Sequence, residues 1–312
     1  MSAPWWKTGV FYQIYPRSFA DSTGSGVGDL PGITAHLDHL AWLGVDALWI
    51  SPFFPSPMRD FGYDVADYCG VDPLFGTLAD FDALVAAAHT RGLRVIIDWV
   101  PAHTSSDHPW FLDSRSSKAS PRRSWYVWRD PGPDGGPPNN WTSTFTQGAS
   151  AWTLDAASGQ YYLHSFLPEM PDLDWNEPGV VEAMHAVLRF WLDRDVDGFR
   201  ADVIHNIGKN PALADVEAKL APIPHSALND DALTHGHLHK IRRLLDSQPG
   251  ERMMVGEVFL LSTERVAGYY GKNDELHLCF NFPPLFAEWN AARWRTCLDD
   301  TLKATEPIGA WP

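Results

Sequence analysis

The sequence predicts an α/β fold, a TIM-type (β/α)8 barrel of which about six βα units are present, with a lobe inserted after the third strand. Short apolar runs alternate with longer amphipathic segments, a pattern typical of parallel strands joined by helices. With 312 residues, 45% hydrophobic and 20% charged, the chain has the composition of a globular protein with a large core. One connection, after the third strand, is far longer than the others.

The elements follow one another as strand and helix. The predicted strands are Val10–Tyr15, Ala47–Ser51, Val95–Val100, Gly198–Ile204, Met253–Phe259 and Leu276–Phe282. The predicted helices, which have apolar residues at helical spacing, are Ile33–Leu43, Leu78–Arg91, Pro178–Arg194, Leu233–Ser247, Ser262–Tyr270 and Pro284–Leu302. Such units build either an eight-fold barrel or an open parallel sheet, and in both the catalytic groups sit at the carboxyl ends of the strands.

The long connection divides the chain. We predict a first part of the barrel at 1–103, an inserted lobe (domain B) at 104–176, and the continuation of the barrel at 177–312, incomplete at its C-terminus. The lobe is rich in Pro, Gly, Ser and Trp and is too long for an ordinary βα connection. A second loop is predicted at Asn206–Asp231, where three prolines interrupt the helical periodicity.

Charge and composition restrict the partners. The 24 Lys and Arg against 39 Asp and Glu give a net charge of −15, the wrong sign for a phosphate backbone, so we expect no nucleic-acid partner. The N-terminus lacks the pattern of a signal peptide, and no run of 18 apolar residues occurs, which predicts a cytoplasmic protein without a membrane partner. Three widely spaced cysteines predict reduced thiols.

Ionisable side chains recur at the predicted strand ends. Asp98 and His103 follow the third strand, Arg200 and Asp202 lie on the fourth, and Glu257 lies on the fifth. Each of them alone could be part of a structural ion pair or a helix cap. Five such groups converging on one mouth are costly to bury unless they are paired or used in catalysis.

Two carboxylates in unequal surroundings are what glycoside hydrolysis needs, since one attacks the anomeric carbon and the other protonates the leaving oxygen. Arg200 and Asp202 are two residues apart and share a strand face, so we expect the guanidinium to keep Asp202 ionised as the nucleophile. Glu257 lies in the apolar run MMVGEVF, where desolvation suits an acid that later acts as the base.

Six segments around these residues resemble the signature motifs of the α-amylase family of retaining glycoside hydrolases and transglycosidases, in its α-glucosidase and oligo-1,6-glucosidase branch. They are YQIYPRSFADSTGSGVGDLPGI, WISPFFPSPMRDFGYDVADY, IIDWVPAHTS, MPDLDW, VDGFRADVIH and MVGEV. The resemblance runs from about Trp5 to at least Val258. It implies that Asp202 is the nucleophile and Glu257 the general acid/base. It implies substrate-binding roles for Asp60, Tyr63, Asp98, His103, Phe145, Phe166 and Arg200.

The resemblance also places a cation loop in this chain. Its ligands would be Asp21, Thr23, Ser25, the carbonyl of Val27, and Asp29. The hydroxyls of Thr23 and Ser25 replace an amide and a carboxylate of the family loop, so we expect a weak site for Ca²⁺ or Mg²⁺. No organic cofactor is expected, because GSGVG lacks the wider dinucleotide-binding pattern.

The resemblance implies exo-acting hydrolysis of α-1,4 or α-1,6-linked glucose from short α-glucosides such as maltose, isomaltose and their oligomers, with transglucosylation as a related outcome. The alternative is a truncated, catalytically impaired relative that folds and binds sugar without turnover. It arises because the family's Asn-His-Asp segment, with its third essential carboxylate, has no counterpart before Pro312. Exposed edges of the barrel sheet would favour self-association.

Overall fold

The computed structural model describes residues 3–146, 148–217 and 230–311. Within these ranges the strands are β1 (Phe11–Ile14), β2 (Ala47–Ile50), β3 (Arg94–Trp99), β4 (Trp128–Arg129), β5 (Trp152–Asp155), β6 (Gln160–Leu163), β7 (Gly198–Ala201), β8 (Met253–Gly256) and β9 (Leu278–Cys279). Six of them form one parallel sheet in the order β1-β2-β3-β7-β8-β9. Each new strand joins the same edge, without the reversal of a doubly wound sheet. This order confirms the predicted partial barrel.

Helices connect and cover these strands. They are α1 (Trp5–Thr8), α2 (Pro16–Phe19), α3 (Leu30–Ala35), α4 (Leu37–Leu43), α5 (Leu78–Thr90), α6 (Pro109–Ser116), α7 (Pro178–Leu192), α8 (Leu233–Asp246), α9 (Thr263–Gly268) and α10 (Ala291–Thr305). Local signals explain their starts: Thr77 and Asp80 form a capping box at α5, and Pro178 occupies the first turn of α7. In the described ranges no helix is long and apolar enough to cross a membrane.

The single helix predicted over Ile33–Leu43 is wrong, because the segment forms the two helices α3 and α4. The break lies at His36, where the backbone turns to φ −107° and ψ 7°. The ring Nδ1 of His36 donates to the Gly32 carbonyl over 2.8 Å, and the His36 amide bonds the Ile33 carbonyl instead. The side chain thus occupies the acceptor that an uninterrupted helix would use.

The last predicted helix is also displaced. Instead of starting at Pro284, the chain makes a 3₁₀ turn at Pro283–Phe286, and α10 starts only at Ala291. Two consecutive prolines lack the N–H that an α-helix needs beyond its first turn. Asn290 then caps α10, its side chain accepting from the Arg293 amide over 2.8 Å.

The predicted strands over Gly198–Ile204 and Met253–Phe259 are too long, and both end before the catalytic candidates. Strand β7 stops at Ala201 because Val203 adopts a left-handed conformation (φ 37°), which a β-branched residue rarely does. The next turn, Ile204–Asn206, is 3₁₀. The backbone at Asp202 and Glu257 nevertheless continues the hydrogen bonding of the sheet. The Asp202 amide donates to the Trp99 carbonyl and the Glu257 amide donates to the Ala201 carbonyl, over 2.9 Å each.

A second, antiparallel sheet lies between β3 and α7, in the order β4-β6-β5. It has a small core of its own that includes Val127, Trp141, Trp152 and Leu163. The segment returns to the barrel at Asp172, which forms an antiparallel bridge with His103. The boundaries 104–176 stay a prediction. Of the second loop, predicted at Asn206–Asp231, residues 218–229 lie outside the described part of the chain.

The inner face of the barrel sheet supports the site. Ile96, Met253 and Val255 form a buried cluster, with Trp49 and Phe280 packed against it. Arg200 lies in register between Asp98 on β3 and Val255 on β8. The larger apolar core packs elsewhere in the barrel and reaches into the lobe. Charged groups at the strand ends therefore rest on an apolar floor.

Candidate active site

Arg200 is the centre of a buried ionic cluster at the carboxyl ends of β3, β7 and β8. Its Nη1 donates to Asp98 Oδ1 and Asp202 Oδ1 over 2.6 Å each, and its Nη2 donates to Glu257 Oε2 over 2.5 Å. The side-chain exposures are 8% for Arg200, 0% for Asp98, 10% for Asp202 and 20% for Glu257. One cation therefore faces three carboxylates, and the two that open toward solvent are the predicted catalytic pair.

Asp98 binds Arg200 from the interior of the protein. Its second oxygen, Oδ2, accepts from the indole Nε1 of Trp49 over 2.7 Å. Burial raises the pKa of Asp98, with Arg200 and the indole hydrogen bond acting against that shift. Asp98 does not line the cavity, so the position we assign to it is one of support and not of substrate contact.

The two candidate catalytic carboxyls differ in proton affinity. Burial, and next the charge of Asp202, raise the pKa of Glu257 to about 7. The mutual influence of the two carboxyls raises the pKa of Glu257 and acts to lower that of Asp202. Glu257 therefore holds the proton of the pair. Its Oε2 also accepts from the Val203 amide over 3.2 Å.

That Arg200 keeps Asp202 ionised stays a prediction. The structure places the guanidinium against Asp202 as predicted, but desolvation is the larger influence and the pKa of Asp202 is raised from its ordinary value. The burial of this carboxyl and the nearby charge of Asp98 explain the direction. Neither influence can be read from the spacing of Arg200 and Asp202 along the strand.

The cluster opens into a cavity of about 550 Å³. Of the residues predicted for the site, all but Asp98 line it: Asp60, Tyr63, His103, Phe145, Phe166, Arg200, Asp202 and Glu257. They come from three strand ends, the loop after β2 and the lobe. The volume and the mixture of charged and aromatic walls suit a small polar ligand with apolar ring faces.

Asp60 and Tyr63 are positioned by the turn DFGYD. The buried Asp64 accepts from the amides of Arg59 (3.0 Å) and Asp60 (3.1 Å), which fixes the turn. Gly62 has φ 108° and its position approaches the Pro52 backbone, so a side chain there would be strained. Burial, followed by the charges of Asp202 and Asp64, raises the pKa of Asp60 to about 6.

His103 is buried at the junction of barrel and lobe. Its Nε2 lies 3.3 Å from the Tyr63 carbonyl, which can only accept, so this nitrogen carries the proton. Burial lowers the pKa of His103 to about 4, and the imidazole is neutral at pH 7. A neutral imidazole can hydrogen-bond sugar hydroxyls without adding charge.

The aromatic wall comes from the lobe. The ring of Phe166 packs edge-on to His103, with centroids 5.2 Å apart, and Phe145 lies 5.1 Å from Phe166. Phe166 is buried, whereas Phe145 is 53% exposed. The pair thus extends from the interior of the cavity to its rim.

Four lining residues are missing from the predicted site: Thr144, Met170, Val203 and Phe259. Three of them have a sequence signal. Val203 directly follows Asp202 in the segment VDGFRADVIH. Met170 begins the motif MPDLDW, and Phe259 lies two residues beyond Glu257 at the same strand end. Thr144 reaches the cavity through the path of the lobe, which no local pattern gives.

The predicted cation loop is closed by its own hydrogen bonds. Asp21 accepts from the amides of Thr23, Gly24 and Gly26 over 2.7–2.9 Å, and Asp29 accepts from Ser22 and from the Gly32 amide. Within the described ranges, no group of three or more His, Cys, Asp or Glu side chains is placed to hold a metal. The predicted cation site has only two carboxylates, Asp21 and Asp29, among its ligands, and it stays a prediction.

Comparisons with known proteins identify the family of the chain. The family model "Alpha amylase, catalytic domain" matches residues 13–305. A probable alpha-glucosidase of Rhizobium meliloti is 50% identical over 295 residues, covering 89% of this chain and 53% of the relative. An oligo-1,6-glucosidase of Halalkalibacterium halodurans is 43% identical over 286 residues, covering 90% and 50%.

A solved structure is similar as well. The crystal structure of the alpha-glucosyl transfer enzyme XgtA matches with a TM-score of 0.89 at 44% identity, covering 99% of this chain and 59% of that one. The chain thus spans about half the length of the curated relatives it matches. The family match over most of the chain and these identities confirm the predicted resemblance, and we conclude that the chain belongs to the alpha-amylase family.

Proposed function

We propose that this chain carries the catalytic residues of a retaining α-glucosidase, which removes glucose from the non-reducing end of short α-glucosides such as maltose and isomaltose. The observation on which the proposal rests is the Arg200 cluster. It joins two carboxyls of unequal proton affinity, Asp202 and Glu257, at the floor of a cavity with aromatic walls.

In the first step, a carboxylate oxygen of Asp202 attacks the anomeric carbon. Glu257, whose pKa of about 7 keeps it half protonated at pH 7 and largely protonated in mildly acidic solution, gives its proton to the glycosidic oxygen. The bond from the anomeric carbon to that oxygen breaks, and the shortened sugar leaves as an alcohol. Glucose stays bound to Asp202 as an ester.

In the second step, Glu257, now ionised, takes a proton from a water molecule whose oxygen attacks the anomeric carbon. Asp202 leaves as a carboxylate, glucose keeps its configuration, and Glu257 is protonated again. Attack by a sugar hydroxyl in place of water would transfer the glucosyl group. The name of the similar structure, an alpha-glucosyl transfer enzyme, supports including this outcome.

The remaining lining residues would hold the transferred glucose. The carboxyl of Asp60 and the imidazole of His103 offer hydrogen-bond partners to its hydroxyls, and Tyr63 and Phe166 offer faces to its ring. Arg200 holds the two reacting carboxyls in fixed positions relative to each other, because its Nη1 binds one oxygen of Asp202 and its Nη2 binds one oxygen of Glu257.

The test is release of 4-nitrophenol from 4-nitrophenyl α-glucoside by the 312-residue chain, beside Asp202→Asn, with size-exclusion chromatography of the same samples. The proposal expects turnover in the first and none in the second. Binding of glucose by a chain without turnover would favour the catalytically impaired alternative. Equal rates in both proteins would contradict the assignment, and the elution volume tests the predicted self-association.

A further inference from the structure

Beyond the cluster around Arg200, the loop that follows Asp202 ends in a second buried charge. Residues 203–207 and Lys209 are all buried, and Lys209 itself is 2% exposed. A lysine is rarely enclosed to this degree unless it is paired. The sequence pattern assigns this residue no role.

The partners of Lys209 lie on the lobe side of the cavity. Its Nζ is 3.3 Å from Asp172 Oδ2, and it donates to the carbonyls of Leu173 (3.4 Å) and Asn206 (3.0 Å). Asp172 is fully buried and also accepts from the Ser165 amide and hydroxyl. The ion pair therefore joins the loop after Asp202 to the segment 165–173.

That segment carries the wall of the cavity. Phe166 follows Ser165 directly, and Asp172 forms the backbone bridge to His103. The Leu173 amide donates to the Ala102 carbonyl over 3.0 Å, so both sides of His103 depend on this strip. One ion pair thus fixes the position of His103 and Phe166 relative to the loop that begins at Asp202.

The cost of desolvation explains why a buried ion pair of this kind indicates a role in aligning two parts of the cavity wall, and not a gain in the stability of the fold. Enclosing two charges costs free energy that their attraction hardly repays, and apolar residues of similar volume often stabilise a fold as well or better. A buried pair that links two separate walls of a cavity restricts how they slide past each other. Asp202 does not need this link, because Arg200 holds it directly over 2.6 Å.

We propose that Lys209 is a positioning residue that acts through Asp172 to hold His103 and Phe166 against the transferred sugar. The inference rests on the proposed α-glucosidase function. It requires that the loss of Lys209 weaken the binding of the sugar more than it slows the chemical steps. His103 and Phe166 would be displaced, whereas Asp202 and Glu257 would keep their contacts with Arg200.

The experiment compares KM and kcat for 4-nitrophenyl α-glucoside in the wild-type chain and in Lys209→Met. We expect KM to rise about tenfold while kcat changes by less than about threefold, the signature of lost binding that is equally strong in the ground state and the transition state. Lys209→Arg keeps the charge and is expected to recover part of the KM. Asp197→Asn, which removes a buried charge at the opposite end of β7, is the matched control and should leave KM unchanged.

A purely structural role would lower the folded fraction, and with it the apparent kcat, at an unaltered KM, and that result would overturn the inference. If Lys209→Met does not fold, the neutral pair Asp172→Asn with Lys209→Met is measured in the same way. Binding of the glucose mimic 1-deoxynojirimycin, followed by tryptophan fluorescence, should weaken in parallel with KM. A wild-type chain that neither turns over the glucoside nor binds the mimic would overturn the proposed function itself.

Discussion

Strand β7 has an aspartate at each end, and the two lie in opposite electrostatic surroundings. At its start, Asp197 is within 2.7 Å of His89, 2.8 Å of Arg94 and 3.7 Å of Arg252. Just past its end, Asp202 shares the single cation Arg200 with two other carboxylates. Both aspartates are almost completely buried. The difference between the two ends is the ratio of positive to negative groups.

The pKa values follow that ratio. Burial acts to raise the pKa of Asp197, but hydrogen bonds from His89, the Val95 amide and Arg94 outweigh it, and the net direction is down. At the other end burial prevails, and the pKa values of Asp202 and Glu257 are raised. A buried carboxylate surrounded by more cations than anions stabilises the fold. Where buried carboxyls outnumber the cations, one of them can serve as a proton donor, and the fold is less stable.

The largest effect is expected from Glu257→Gln on the hydrolysis of maltose. Loss of the proton donor should lower kcat by about 10³-fold, within the range of general acid catalysis. The first step on 4-nitrophenyl α-glucoside should suffer much less, because its leaving group needs no proton. Steady-state rates on both substrates measure this, with azide added to restore the second step. An equal loss on both substrates would contradict the role of Glu257 as the acid.

The same substitution should make the folded chain more stable in alkaline solution. Glu257 ionises near pH 7 when folded and near 4.5 when unfolded, so its cost to stability is absent below pH 4.5 and grows as the pH rises to 7. Removing it should stabilise the chain at pH 8 by up to about 3 kcal/mol. Urea denaturation at pH 8 and pH 4.5 checks this, and an equal gain at both values would contradict it.

At the other end of the strand, Asp197→Asn should act in the opposite direction. We expect a loss of about 2 kcal/mol in the free energy of unfolding, because His89, Arg94 and Arg252 lose their counter-charge. The depressed pKa of Asp197 stabilises the fold above the ordinary value of 3.8, and this contribution is lost as the pH falls through the folded value. The difference from wild type should therefore shrink in acid. A loss independent of pH would contradict the electrostatic origin.

The smallest effect is expected at the rim of the cavity. Phe145→Ala removes a half-exposed ring next to Phe166. The lost aromatic contact contributes about 1 kcal/mol of binding free energy, so KM should rise only a few-fold. Leu154→Ala, at a similarly exposed position of the lobe, is the matched control and should leave KM unchanged. Equal effects of the two substitutions would mean that Phe145 does not face the sugar.

The sequence predicts the barrel and most of the cavity because their signals are local. The alternation of strands and helices, and the position of Arg200, Asp202 and Glu257 at strand ends, follow from short segments that can be read one by one. The break at His36 depends on one side-chain hydrogen bond to the Gly32 carbonyl, which no periodicity reveals. The raised pKa of Asp202 depends on burial by distant segments.

The lobe is the region that sequence reasoning describes least. Its length is evident from the sequence, and the family resemblance implies Phe145 and Phe166, but Thr144 lines the cavity only because of the path that the lobe takes before it returns to the barrel at Asp172. The ion pair between Asp172 and Lys209 spans 37 positions of the sequence, and nothing in the pattern of either segment indicates it. Contacts of this kind require the path of the whole lobe.

The assignment of Asp202 as the nucleophile and Glu257 as the general acid/base is tested most directly by trapping the glucosyl ester. The chain is incubated with 5-fluoro-α-glucosyl fluoride, whose fluorine at C5 slows hydrolysis of the ester, and its peptides are analysed by mass spectrometry. The account predicts a fluoroglucosyl label on Asp202 and no label in Asp202→Asn. A label on Glu257 or Asp60, or one that persists in Asp202→Asn, would contradict it.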